Sequence, residues 1–254
     1  SEVGEGTGFK CDTDQYDKHY KHVVLWDEDA LEIAGAYRLG LCKEIVENHG
    51  KKGIYNDSLF HFLNEFDPYL MKAIELGRSF IQQRYWKSNA LDSLWRGIGA
   101  FLFQRDDIQY LFGGVSISEN YSKDARNLLV YFYRKWYSSN VELAISKNKY
   151  ILTREEENEV KHLLNSEHFN EDFKTLKLTL KNYGYTIPVL FRQYSELCER
   201  EGVKFLDFGV DEDFSNTCDG LILLDLSKLK NQKKERYYPQ IYDVQDNLAE
   251  VPVH

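Results

Sequence analysis

Lys72-Ala73-Ile74-Glu75-Leu76-Gly77-Arg78-Ser79-Phe80-Ile81 alternates closely enough to form a β-strand, and it leads into a basic segment, Arg84 to Lys87. At its centre stands Glu75-Leu76-Gly77-Arg78. Residues three apart on a strand point to opposite faces, so Glu75 and Arg78 can meet only if Gly77 introduces a bulge. If they meet, Glu75 can act as a base toward an amine, or hold it by charge, while Arg78 orients a carboxylate or fixes the strand. A structural ion pair accounts for the same two residues.

Outward from this strand, Ser93–Gln104 reads as a helix capped by Asp92 or Ser93, and Tyr110–Ile117 as a strand containing Gly113-Gly114. Glycines inside a strand mark the close approach of another backbone or of a ligand. Toward the N-terminus, His19–Trp26 and Leu31–Leu39 form a hairpin across the polar turn Asp27-Glu28-Asp29-Ala30. Helices are expected from Leu41 to His49 and over Ser58–Leu63. Ser122–Tyr137 is expected to be helical, with Leu128, Leu129, Phe132 and Trp136 on one stripe. Thr153 and Glu156 make a capping box for a helix to about Leu164. Ile187-Pro188 opens another that ends near Gly202, and strands Lys204–Val210 and Leu221–Leu226 follow around an acidic loop. Ser1–Phe9 is polar and Gly-rich and is expected to be mobile. The element order predicts one α/β domain with a mixed sheet.

The chain has 254 residues, 43% hydrophobic and 15% aromatic, as expected of a folded globular protein. Its formal net charge of −9 excludes a general nucleic-acid footprint, and an acidic partner would need a local basic patch. Cys11, Cys42, Cys198 and Cys218 show no C-x-x-C pair, which favours reduced, buried thiols in a cytoplasmic protein, although four cysteines could also pair in a secreted one. No apolar run is long enough to span a bilayer, so the protein is expected to be soluble or at most peripheral at a membrane. His19, His22, His49, His61, His162 and His168 supply no metal-ligand spacing, and no metal is expected.

Two further clusters carry chemistry. Asp14-Gln15-Tyr16-Asp17 with Arg38 is either a binding cluster or a solvated turn beside an ordinary arginine. Trp95-Arg96-Gly97-Ile98-Gly99 places two glycines near the predicted helix start, where backbone N–H groups can approach a phosphate, or where helices pack closely.

The order Asp14-x-x-Asp17, Arg38-Leu39, Glu75-x-x-Arg78 resembles that of the acyl-homoserine-lactone synthases, which are GNAT-like acyltransferases. The chain is more similar still to the ornithine-lipid and glycine-lipid N-acyltransferases, often labelled "hemolysin-like". That resemblance is carried by Ala34–Leu39, Glu75–Phe80, Leu94–Ile98, Leu111–Ser118, Ile187–Leu190, Phe208–Asp211, Asp219–Leu221 and Asp225-Leu226. It implies a GNAT-like fold, a mixed, mostly antiparallel sheet flanked by helices, in which two central strands splay apart to admit a pantetheine arm. It also implies Glu75 and Arg78 as catalytic and Asp14, Asp17 and Arg38 as substrate-binding residues. Trp95, Arg96, Gly97, Gly99, Phe112, Gly113 and Ser116 would face the acyl donor. The donor would be an acyl-phosphopantetheine on acyl carrier protein (acyl-ACP) in preference to coenzyme A, because Leu94 stands where a Gln or Arg usually precedes the first loop glycine. No tightly bound cofactor is implied. Arg84, Lys87, Arg96 and Arg105 are the candidates for a carrier-docking patch, and the acceptor would be a small amine or amino acid. The expected organisation is a single domain over residues 1–254 that lacks the family's opening strand and helices. The competing reading is a non-catalytic lipid- or carrier-binding protein, or a membrane-active one as "hemolysin" suggests, with Ser122–Tyr137 as its amphipathic candidate. A signal synthase closing a lactone from S-adenosylmethionine fits the C-terminal half poorly.

Overall fold

The computed structural model describes residues 13–238. Cys11 and the Gly-rich opening Ser1–Phe9 lie outside them.

The chain runs β1 (Lys21–Asp27), β2 (Glu32–Leu41), α1 (Cys42–His49), β3 (Phe60–Phe62), α2 (Asp67–Leu70), β4 (Ala73–Ile81), α3 (Ala90–Phe103), β5 (Tyr110–Ile117) and α4 (Lys123–Tyr137). It continues through β6 (Ala144–Ser146), α5 (Arg154–Leu163), α6 (Phe169–Asn182), α7 (Val189–Ser195), β7 (Val203–Asp211), β8 (Thr217–Asp225) and α8 (Asn231–Tyr237). The principal sheet has the order β1-β2-β4-β5-β8-β7, and β3 pairs with β6 in a small second sheet. Every pairing is antiparallel except β4 with β5, so the sheet is mixed and mostly antiparallel, with helices flanking it.

Period-2 alternation splits the core between the two faces of the sheet. Ile74 and Leu76 of β4 and Leu111, Val115 and Ile117 of β5 join Leu94, Trp95 and Ile98 of α3 and Leu128, Leu129 and Phe132 of α4 on one face. Ala73, Phe112, Leu221 and Leu223 face the other way, against Cys42 and Ile45 of α1 and the Phe60–Phe62 strand. The apolar stripe of α4 is thus core, which removes the amphipathic candidate for membrane damage. Among the described residues no helix is long and apolar enough to cross a membrane.

Several expectations change. Ser58–Leu63 is not a helix; Phe60 and Phe62 are buried while His61 is exposed, a strand's alternation. The helix after Pro188 stops at Ser195, well before Gly202. Most consequential, α3 begins at Ala90, not Ser93, so Gly97 and Gly99 sit two turns inside it. Cys42, Cys198 and Cys218 are free and buried.

Candidate active site

β4 and β5 pair only where Ala73–Glu75 run alongside Tyr110–Phe112. Beyond that point they part, while β5 stays paired with β8 to its end at Ile117. At the apex Gly113 is obligatory, since a Cβ there would lie 2.1 Å from the Leu76 carbonyl oxygen. Against β2 the register slips between Ala36↔Phe80 and Arg38↔Gly77, so Arg78 and Ser79 both oppose Tyr37. This is the bulge that the Glu75–Arg78 spacing required, but the left-handed residue is Arg78 itself (φ 42°), not Gly77. Glu75, Gly77 and Arg78 therefore share the face that carries Arg38.

Glu75 is 1% exposed, and both of its oxygens hold protein donors. Oε1 accepts from the Asn56 backbone N–H (2.7 Å) and from Asn56 Nδ2 (2.6 Å). Oε2 accepts from the Tyr55 N–H (3.1 Å) and from the Tyr20 hydroxyl. Burial raises the carboxyl above its ordinary value of 4.5, and these bonds offset that only in part. Burial, together with the neighbouring carboxylate, pushes the Tyr20 hydroxyl far up, so it stays protonated as a donor.

Arg38 is also 1% exposed, an uncommon depth for a guanidinium. Its Nη1 donates to Asp14 Oδ2 (2.6 Å) and Asp17 Oδ1 (2.9 Å), and Arg78 Nη1 lies 3.4 Å from the same Asp14 oxygen. The guanidinium carbon sits 4.8, 5.3 and 5.8 Å from the ring centres of Tyr20, Tyr55 and Tyr16, a cation–π enclosure. Its Nε and Nη2 are buried without a hydrogen-bond partner. Asp14-x-x-Asp17 holds its own shape: Asp14 accepts the Tyr16 and Asp17 N–H groups, and Asp17 accepts the Asp14 N–H. Burial pushes Asp17 up, but the Asp14 N–H and the two arginines outweigh it and bring it below 3.8. The fold thus unites Asp14, Asp17, Arg38, Glu75 and Arg78 in one cluster.

The residues expected to face the acyl donor divide. Gly113 and Ser116 lie along the splayed part of β5. Trp95 and Phe112 do not; Trp95 packs in the core on Tyr37 and Tyr194, and Phe112 on Phe62 and Phe66. Gly97 makes room for Val23, and a Cβ on Gly99 would lie 2.2 Å from the Tyr237 carbonyl, so both serve close packing. Mid-helix, their N–H groups are committed to the preceding turn and cannot cradle a phosphate. Arg96 is exposed on α3, paired with Asp92. Nor do the proposed docking cations make one basic field: Arg84 pairs with Glu32, and Arg105 with Asp107 and Glu44. An apolar cavity bordered by Trp95, Ile98, Leu111, Leu224 and Tyr237 measures about 20 Å³, room for a water-sized sphere and not for a fatty chain.

Sequence reasoning missed Tyr16, Tyr20, Tyr55 and Asn56. Tyr16 and Tyr20 flank the Asp17 carboxylate in sequence, but Tyr55-Asn56 falls between two predicted elements and carries no signal of its own.

Residues 1–96 match the family described as an acetyltransferase (GNAT) domain. The chain carries a GNAT domain. With that domain it is an acyltransferase. The chain is 29% identical to a glycine N(alpha)-acyltransferase of Bacteroides thetaiotaomicron, over 98% of its own length and 77% of the relative's. It is also 29% identical to a glycine N(alpha)-acyltransferase of Phocaeicola vulgatus, over 92% of the chain and 75% of the relative. Among solved structures, a CoA-dependent acyl-homoserine lactone synthase with SAM and isopentyl-CoA aligns at a TM-score of 0.31 and 10% identity, over 66% of this chain and 78% of that one.

Proposed function

We propose that this GNAT domain moves a long-chain acyl group from a phosphopantetheine thioester to the amino group of an amino acid, glycine foremost, as the first step of aminolipid synthesis. The supporting observation is the splay of β4 from β5, with a charged cluster gathered on one face of its apex. Two glycines leave that face open: a Cβ on Gly77 would meet nothing within 4 Å, and one on Gly114 only Asn56 Oδ1. A thioester carbonyl held beside Gly77 can be reached by an amine from the Glu75 side, with Gly114 leaving room for that amine.

In this reading the amine lone pair attacks the thioester carbon, the C–N bond forms, and the C–S electrons leave with sulfur as thiolate. The amine gives up one proton. Glu75, made more basic by burial, is the proton acceptor of the site. Arg78, at the rim with 18% of its side chain exposed, meets the carboxylate of the acceptor, and Arg38 with Asp14 and Asp17 fixes that corner. All of this lies within one domain.

Acyl-ACP is the donor we favour over acyl-CoA. The segment between β4 and α3 has no glycine, and four of its N–H groups are already committed, Gln82 to Ala34, Tyr85 to Gln82, Trp86 to Gln83 and Ser88 to Tyr85. A diphosphate would find few donors there, whereas the single phosphate of a carrier-bound arm needs fewer.

The test is to incubate the protein with acyl-ACP or acyl-CoA and a panel of amino acids, and to read N-acyl products by mass spectrometry. Amide formed on glycine from acyl-ACP is the expected result. A folded protein that makes no amide from either thioester would overturn the reading.

A further inference from the structure

We infer that Asn56 contacts the attacking amine, its side-chain carbonyl accepting one amine N–H while the lone pair faces the thioester. The inference rests on the acyl-transfer reading above and adds to it a residue that neither the motif order nor the family resemblance marks.

Asn56 is 1% exposed. Its backbone N–H and its Nδ2 both donate to Glu75 Oε1, at 2.7 and 2.6 Å. That carboxylate decides which way the amide lies, because the reversed amide would set its carbonyl oxygen against Glu75. The Oδ1 atom is consequently turned away from Glu75, where it is buried and has no hydrogen-bond partner. Leaving a buried acceptor unpaired costs about 1–3 kcal/mol. A native chain tolerates such a group where a ligand or water supplies the missing donor.

The direction of Oδ1 identifies the donor. A Cβ built on Gly114 would lie 3.0 Å from it, with no other atom within 4 Å. Gly114 is two residues past Phe112, the last residue of β5 paired to β4, so the oxygen looks into the gap where the strands separate. It lies on the face of Glu75, Arg38 and Arg78, the side assigned to the acceptor. An amine there can give one hydrogen to Oδ1 and keep its lone pair for the carbonyl carbon. Asn56 takes no proton. It orients the nucleophile, and Glu75 orients Asn56.

Two variants test this in the full chain, with acyl-ACP and glycine as substrates. Gly114→Ala places a methyl group in front of Oδ1 and leaves both Asn56–Glu75 bonds intact. Asn56→Ala removes the acceptor itself. The expected result is that kcat/KM for glycine falls about tenfold or more in each, the worth of one such hydrogen bond. KM for the thioester should stay within about twofold, and the melting temperature of Gly114→Ala should stay near that of the wild type. A rise in thioester KM with glycine KM unchanged would assign the N–H to the pantetheine arm and overturn the inference. Normal kinetics in Gly114→Ala would mean that Oδ1 is satisfied by water and would overturn it too. If Asn56→Ala does not fold, Gly114→Ala decides alone. A wild-type protein that makes no amide at all sinks the parent reading and this one with it, whereas an active wild type with indifferent variants sinks only this one.

Discussion

Replacing Gly113 by alanine should open the apex from which the site is built. The new Cβ would lie 2.1 Å from the Leu76 carbonyl oxygen, whereas ordinary contact begins at 3.4 Å, so β4 and β5 must part by about 1.3 Å. The obstacle is backbone in a paired strand, not the end of a flexible side chain, and it cannot swing aside. Overpacking of this kind costs about 1–3 kcal/mol, and the rigidity of the obstacle points to the upper half of that range. For a chain of this size each kcal/mol is worth about 2–4 °C in melting temperature. The strain falls beside the Glu75–Phe112 pairing, the last rung before the strands separate. A displacement of about 1 Å between reacting groups costs on the order of 10²-fold in rate. Calorimetry and steady-state acyl transfer by Gly113→Ala measure both effects. If the variant melts with the wild type and keeps its kcat and thioester KM, the account of the apex as a close strand approach is refuted.

Glu75→Gln should lower acyl transfer by about 10²–10⁴-fold, the usual worth of a general base. Because burial raises the Glu75 carboxyl above 4.5, the folded state keeps a proton that the unfolded state has lost, and stability falls as pH rises from there through the folded value. Gln lacks that slope, so equal slopes for the two proteins in denaturation across pH would contradict the shift. Asp17 has the opposite sign: held below 3.8, it contributes stability that is present above that pH and lost as pH falls through its depressed value. Asp17→Asn should be less stable at neutral pH and lose less on acidification, and an unchanged acid-unfolding profile would count against the Arg38 cluster. Gly99→Ala would push a Cβ to 2.2 Å from the Tyr237 carbonyl, loosening α8 and lowering the melting temperature without moving the thioester KM. A raised KM at unchanged stability would instead return that glycine to the donor site.

The hairpin, the two central strands and α4 were legible because each carries a period of two or of 3.6 over enough residues to be read alone. The stripe Phe169, Phe173, Leu176, Leu180 of α6 carries the same kind of signal. The start of α3 was harder: Ser88 bonds the Ala90 N–H, a local cap that Asp92 and Ser93 imitate in sequence. Shifting that start by three residues moved Gly97 and Gly99 from a predicted phosphate cradle into helix packing.

The site divides in the same way. Motif order alone selected Asp14, Asp17, Arg38, Glu75 and Arg78, and the fold gathers all five: strand pairing sets Arg38 against Gly77, between Glu75 and Arg78, and ion pairs from Arg38 hold Asp14 and Asp17 to that point. Three things were decided only by tertiary structure: the bulge at Arg78, the donors around Glu75, and the direction of the Asn56 carbonyl. Each depends on which backbone arrives opposite, across separations of 19 and 55 residues for the Asn56 and Tyr20 bonds to Glu75. No local periodicity records such a meeting, since the contact is set by loop closure and burial and not by the residues' own neighbours in sequence.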